Sequence, residues 1–279
     1  MIIKDIMTPD PLTINLLSGV KRAEQIMREK KIGSLPVVDN EKLVGIITSR
    51  DIRRSHPNRI VADAMTSNVI VLTPYNTLWE AKDLMENNGI ERLVITNKDS
   101  IVGILTKSDL YKEIGKYIDN LTGMYRKEYL LAEALRLLEN NKPFSFLFTD
   151  LDKFGEIDKN FGHEIGDKII TEVSRLLKKF DNDKISICRF GGDEFVLLLD
   201  GGKESAVNLA IKLIDEFQSH QWTNHLDIHT SIGIAVMNPQ NKSINSENGY
   251  SVITELLNKA SIASTNAKKL SVKYLVVEF

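Results

Sequence analysis

A short pattern occurs twice in the first 115 residues at one fixed offset. Asp5-Ile6-Met7-Thr8 returns as Asp63-Ala64-Met65-Thr66, a shift of 58 (63 − 5). Gly45-Ile46-Ile47-Thr48 returns as Gly103-Ile104-Leu105-Thr106, again a shift of 58 (103 − 45). Two matches far apart within the unit, at one offset, require a tandem duplication with no net insertion between copies. Each copy has the same run of elements. Apolar residues at helical spacing (Val20, Ala23, Ile26, Met27; then Leu78, Ala81, Leu84, Met85) precede two β-rich runs, and the second run leads into another helix. In each copy a strand ends at a Thr and an Asp follows three residues later: Thr48 and Asp51, then Thr106 and Asp109. This spacing caps a helix, and the same hydroxyl, amides and carboxylate suit a phosphate and a ribose. Both readings stay open at this stage. Apolar residues at helical spacing across 108–118 predict a stiff, short connector into the second half.

The second half carries its own constraint. Gly191-Gly192-Asp193-Glu194 separates two β-rich runs, 185–190 and 195–199, and predicts a hairpin with two acids at its tip. Acidic hairpin tips are common for solubility alone. Here Asp150 and Asp152 also follow an apolar run, Phe144-Ser145-Phe146-Leu147-Phe148. Carboxylates at the end of one strand and the tip of a neighbouring hairpin can converge on one hard cation. Helices are predicted over 127–140, 167–180, 203–218 and 251–268, and strands over 144–149, 227–236 and 273–277. Mixed strands and helices with hairpin connections imply an α+β sandwich whose sheet is covered by helices.

Composition narrows the classes. A content of 42% hydrophobic and 27% charged residues is that of a globular chain, and the net charge of −2 gives no reason to expect nucleic acid as a partner. No run of eighteen apolar residues occurs and the opening Ile2-Ile3-Lys4-Asp5 lacks a signal-peptide core, so a cytoplasmic protein without a membrane span is expected. The single cysteine, Cys188, lies in an apolar strand pattern and reads as a core thiol rather than a nucleophile.

Residues 119–279 resemble the GGDEF family, the diguanylate cyclases. Besides Gly191-Gly192-Asp193-Glu194-Phe195, the resemblance rests on Asp119-Asn120-Leu121-Thr122-Gly123, Asp150-Leu151-Asp152-Lys153-Phe154, Gly162-His163-Glu164-Ile165-Gly166-Asp167 and Ser231-Ile232-Gly233, in the family's order. The duplicated first half resembles paired CBS domains, the Bateman module. The fold class implied is α/β and α+β: a CBS pair (1–57 and 58–115), then a cyclase-like domain (116–279) with a central, mainly antiparallel sheet.

The resemblance implies a reaction in which two GTP are condensed into cyclic di-GMP with Mg2+ or Mn2+. It implies Asp193 and Glu194 as catalytic acids, and Asp150, the Leu151 carbonyl, Asp193 and Glu194 as metal ligands. Substrate contacts fall to Phe154, Asp158, His163, Asp167 and Lys268, with Asp167 reading guanine and Lys268 meeting phosphate. In the CBS half, Thr48, Asp51, Thr106 and Asp109 would hold an adenine nucleotide. Each active site in this family holds one substrate, so a homodimer is expected. Three positions depart from the family. Asp158 stands where an Asn is usual, Gly155 where a Lys is usual, and Val272 where an Arg is usual. Two lost cations predict weaker triphosphate binding, a charge-assisted hydrogen bond being worth about 1.5–3 kcal/mol. Alternatives are a nucleotide cyclase of altered base preference, and a catalytically silent module that binds nucleotide and signals to a partner.

Overall fold

The computed structural model describes residues 2–238 and 248–279. The chain divides into two compact units, one ending at Lys116 and one beginning at Tyr117.

In the first unit the elements follow in duplicate: β1 (Thr8–Pro9), β2 (Ile14–Asn15), α1 (Val20–Lys30), β3 (Ser34–Asp39), β4 (Lys42–Thr48) and α2 (Ser49–Arg54), then β5 (Val71–Leu72), α3 (Leu78–Asn87), β6 (Arg92–Asn97), β7 (Ser100–Thr106) and α4 (Lys107–Ile114). They form a three-stranded sheet, β2-β3-β4, and a four-stranded sheet, β1-β7-β6-β5. The opening segment of each copy pairs with the other copy. Thr8 lies opposite Ile104 on β7, and Thr66 forms the equivalent bridge to Ile46 on β4. Ile2 bridges Thr77, and Ile60 bridges Gly19. These partners are related by the offset of 58 (8 + 58 = 66; 46 + 58 = 104; 2 + 58 = 60; 19 + 58 = 77). Val61, the second residue of such a segment, is fully buried in the first copy's core with Leu35, Val37 and Ile47. The repeated glycines have a use here. A Cβ on Gly45 would stand 2.4 Å from the Met65 sulfur, and one on Gly103 would stand 2.5 Å from the Met7 sulfur. The Asp-x-Met-Thr and Gly-Ile-x-Thr motifs therefore recur together because each packs against the other, across the copies.

The expected connector over 108–118 is corrected in part. The helix ends at Ile114, a 3-10 turn covers Gly115–Tyr117, and Leu110 and Ile114 are core residues. Most of the run is the closing helix of the second repeat, and its apolar spacing serves burial.

The second unit contains α5 (Lys127–Glu139), β8 (Phe144–Leu151), α6 (Phe154–Phe161), α7 (His163–Lys178), β9 (Ile185–Gly191), β10 (Glu194–Leu199), α8 (Lys203–Ser219), β11 (Thr230–Met237), α9 (Gly249–Leu270) and β12 (Tyr274–Glu278). The five strands run in the order β12-β11-β8-β10-β9, antiparallel except for β11 with β12. Both faces are covered. Leu147, Leu197 and Ile234 pack with α7 and α8, while Phe146, Phe148, Val196 and Leu198 pack with α5 and α9. Burial on both faces explains why β8 and β10 read as continuous apolar runs. Cys188 is fully buried as a free thiol, and burial pushes its pKa up. Helix α6 is absent from the sequence-based reading, and α7 starts four residues before the predicted 167. The segment 154–166 contains Gly155, Asp158, Asn160 and Gly162, all weak helix formers, so its periodicity is masked. Lys153, in the left-handed region at φ 56°, turns the chain from β8 into α6.

Candidate active site

Strand parity places the acids. Phe146 and Phe148 face α9, so Asp150, two residues further along β8, projects to the same face. Glu194 lies directly opposite Asp150 on β10, and Ser231 lies opposite it on β11. Two carboxylates as cross-strand neighbours repel each other, which a fold tolerates where a cation offsets them. Asp193 occupies the hairpin tip between Gly192, at φ 50°, and Glu194, and its carbonyl accepts from the Leu151 amide at 3.5 Å. The carboxyls of Asp193 and Glu194 are both raised above the ordinary range, first by burial and then by the charge of Asp150.

The counter-charge comes from α9. This helix lies against β11 at a distance only glycine permits: a Cβ on Gly233 would stand 1.9 Å from the Ala260 carbonyl oxygen and 2.3 Å from the Ser264 nitrogen. The Ser264 hydroxyl donates to the Ser231 carbonyl at 2.8 Å. One turn on, the Lys268 ammonium donates to Asp150 Oδ1 at 2.6 Å and to the Leu151 carbonyl at 2.9 Å, and Asp152 Oδ1 lies 3.6 Å away. Asp152 is no idle loop residue, for it accepts from the Ser231 hydroxyl at 2.9 Å. Among the described residues, no three His, Cys, Asp or Glu side chains converge as a ready cage for an ion. Magnesium needs no such cage, since one or two carboxylates and substrate phosphates usually hold it. A cation already seated between Asp150 and the Leu151 carbonyl shows that this donor set accepts positive charge, and hard oxygens of this kind fit magnesium or manganese.

The other expected substrate residues are more scattered. Asp158 on α6 accepts from the exposed His163 ring Nδ1 at 3.1 Å and packs on Gly166, where a Cβ would stand 2.0 Å from its Oδ1. Its negative charge adds a small upward push on the Asp193 carboxyl, after burial and Asp150. Asp167 is exposed and lines a shallow cleft with Leu121, Lys168 and Arg175. The Phe154 ring belongs to the hydrophobic core, which leaves only its backbone for a ligand.

Sequence reasoning passed over Arg189. Its Nε and one terminal nitrogen donate to the Gly192 carbonyl at 2.9 and 2.7 Å, and the other donates to Asp119 at 2.9 Å. Asp119 also accepts from the Thr122 amide and hydroxyl. An Arg two residues before the Gly-Gly pair was the available signal.

In the CBS half, a cavity of about 400 Å3 lies between the copies, with Thr48, Arg50, Asp51, Asn68 and Arg92 among its walls. Thr48 and Asp51 form a reciprocal cap: Asp51 Oδ2 accepts from the Thr48 amide and hydroxyl at 2.8 and 2.7 Å, and the Asp51 amide donates to Thr48 Oγ1. Thr106 and Asp109 repeat the hydroxyl contact at 2.6 Å.

The pattern of the family described as diguanylate cyclase, GGDEF domain, matches residues 116–271, more than half of the chain. The chain belongs to the GGDEF family. CBS domains match residues 3–57 and 61–116 of the same chain. Among curated proteins, this GGDEF chain is 36% identical over 124 residues to the probable diguanylate cyclase DgcI of Escherichia coli (strain K12), covering 44% of this chain and 26% of that protein. It is 29% identical over 158 residues to the probable diguanylate cyclase DgcC of the same strain, covering 54% and 40%. It is also similar to an inosine-5'-monophosphate dehydrogenase of Nitrosopumilus maritimus (strain SCM1), at 36% over 107 residues, covering 38% of this chain and 22% of that protein. The chain thus spans less than half the length of each of these relatives. Among its described residues no helix is long and apolar enough to cross a membrane.

Proposed function

We propose that the chain is a diguanylate cyclase that condenses two GTP into cyclic di-GMP with magnesium or manganese, under control of an adenine nucleotide held between its CBS repeats. The working division is 1–57, 58–115 and 116–279. The observation that carries the reading is the row formed by Glu194 and Asp150 at adjoining strand ends, with a cation drawn onto Asp150 and the Leu151 carbonyl.

In the proposed reaction, the 3'-oxygen of one GTP forms a bond to the α-phosphorus of the other, and pyrophosphate leaves. The hydroxyl proton passes to Asp193 or Glu194, whose raised pKa values suit a proton acceptor. A second, reciprocal step closes the ring. Asp150, the Leu151 carbonyl and the two hairpin acids would hold a divalent cation, which when bound would offset charge at the transferring phosphoryl group. Lys268 turns to the phosphates, and Asp158, His163 and Asp167 border the base. One domain binds one substrate, so two chains meet across a two-fold axis, as a homodimer in the cytoplasm, where GTP is available. Asp51 or Asp109 contacts ribose; Asp51 lines the cavity between the copies.

A second reading, altered base preference, is favoured by Asp158, which brings an acid and its His163 partner to the place of the family's Asn. Incubating the protein with each of the four nucleoside triphosphates and Mg2+, then separating the products, tests both. Cyclic di-GMP from GTP, lost in Asp150→Asn, is expected. A cyclic product from ATP alone selects the second reading, and no product from any of them leaves a silent binding module. Light scattering at micromolar concentration checks the dimer.

A further inference from the structure

The position of Lys268 has a consequence for how the site fills. Its ammonium lies 2.6 Å from Asp150 Oδ1 and 2.9 Å from the Leu151 carbonyl oxygen. A magnesium ion bonded to both oxygens, at about 2.1 Å, would lie inside the envelope of that ammonium. The two cannot share the cradle. The helix cannot withdraw the lysine either, because Gly233 and Ser264 lock α9 against β11 one turn away. Only the side chain can move.

Where it can move is also defined. Beside Lys268 a cavity of about 760 Å3 opens, with Lys153, His229 and Lys273 in its walls. Its acids are Asp152, Glu156 and Asp227; Asp152 is engaged by Ser231 and Asp227 pairs with His229 at 3.0 Å. An ammonium that leaves Asp150 enters a space that already holds two other ammonium groups beside the acids Asp152 and Glu156, and a triphosphate entering with it offers it a more highly charged partner than either.

We propose that Lys268 closes the first cation position in the nucleotide-free protein, so that divalent cation and triphosphate enter as a coupled pair. This rests on the reading of Asp150 and the Leu151 carbonyl as cation ligands. A triphosphate gives Lys268 another anionic partner and frees the oxygens for the metal. By linkage, each ligand then tightens the other by the same factor. The nucleotide-free protein stays nearly metal-free, and nucleotide without metal stays weakly held.

The test is a titration of the full chain with Mn2+, following free Mn2+ by electron paramagnetic resonance, with and without inorganic triphosphate corrected for its own chelation. Lys268→Met keeps most of the stem and removes the charge; Lys268→Gln is carried alongside, and thermal melting checks that both fold. Both variants should bind Mn2+ alone at least about ten-fold more tightly than the natural chain, and triphosphate should then add less than about three-fold, against ten-fold or more in the natural chain. Asp150→Asn should abolish binding throughout. Equal or weaker Mn2+ binding by the Lys268 variants overturns the proposal while leaving the cyclase reading intact. Absence of Mn2+ binding by every protein overturns it together with the cation site. Failure to make a cyclic product alters neither outcome, since no turnover is read.

Discussion

Arg189 joins Asp119, at the head of the GGDEF domain, to the carbonyl of Gly192 in the turn that presents Asp193. Both side chains are mostly shielded from solvent, and the Thr122 amide and hydroxyl meet the same Asp119 oxygen. The turn that carries Asp193 is thereby held from the side opposite to α9. Arg189→Ala should lower kcat by about ten- to a hundred-fold and stability by about 1.5–3 kcal/mol, the range for hydrogen bonds to charged groups. Lowered stability with kcat unchanged would count against a positioning role.

Asp119 also sets a pH dependence. Burial opposes its ionisation, but Thr122 and Arg189 outweigh that and hold the carboxyl below its ordinary value of 3.8. A depressed folded pKa contributes stability above the unfolded value, and this is lost as pH falls through the folded one. Asp119→Asn should therefore destabilise the domain near neutrality, with the difference from the natural chain shrinking in strong acid. Denaturant melts at a series of pH values read it directly.

For Asp193 the sign reverses. Its carboxyl is raised above the ordinary 3.8, first by burial. Its ionisation costs stability as pH rises through the window between unfolded and folded values, and costs nothing below it. Asp193→Asn should melt at a higher temperature than the natural chain at neutral pH, lose that advantage in acid, and make no cyclic product. A lower melting temperature at neutral pH would mean that the carboxylate is structurally satisfied.

Gly233→Ala should be among the most damaging single-methyl changes in the chain. The methyl meets the Ala260 oxygen at 1.9 Å and the Ser264 nitrogen at 2.3 Å, and both are backbone atoms of α9. A cost of about 3 kcal/mol or more is expected, at or beyond the upper end of ordinary overpacking. Chemical denaturation measures it, and a loss below 1 kcal/mol would show that α9 can lift from the sheet at little cost.

Asp158→Asn should raise affinity for GTP, because it restores a donor and removes a negative charge that reaches Asp193. Calorimetry with GTP and ATP checks both the gain and the base preference. If the substitution abolishes turnover, or if ATP becomes the better ligand of the natural chain, Asp158 serves a base other than guanine.

What could be read in advance follows from how local the causes are. Asp150 and Glu194 were legible because an acid closing or opening an apolar strand is visible within eight residues, and parity then puts both on one face. The repeat was legible because its offset is constant. Arg189 was not, because its partner Asp119 lies 70 residues away in sequence, and a place two residues before the Gly-Gly pair marks the turn without naming that partner. Lys268 was read as a phosphate contact, whereas 118 residues of separation hid its approach to Asp150. Helix α6 was missed because glycine and short polar residues hide its period.

The exchange of opening segments between the two repeats makes them a single cooperative body. Residues 2–9 supply an edge to the second copy, and residues 60–66 supply the matching edge to the first. Neither repeat can complete its own sheet, so severing the chain between them would leave two halves that fold only by finding each other. Such a pair should melt in one transition. A small molecule lodged between Thr48 and Arg92 would touch both halves at once, and what it stiffens in one is carried to the strand that the other has lent it.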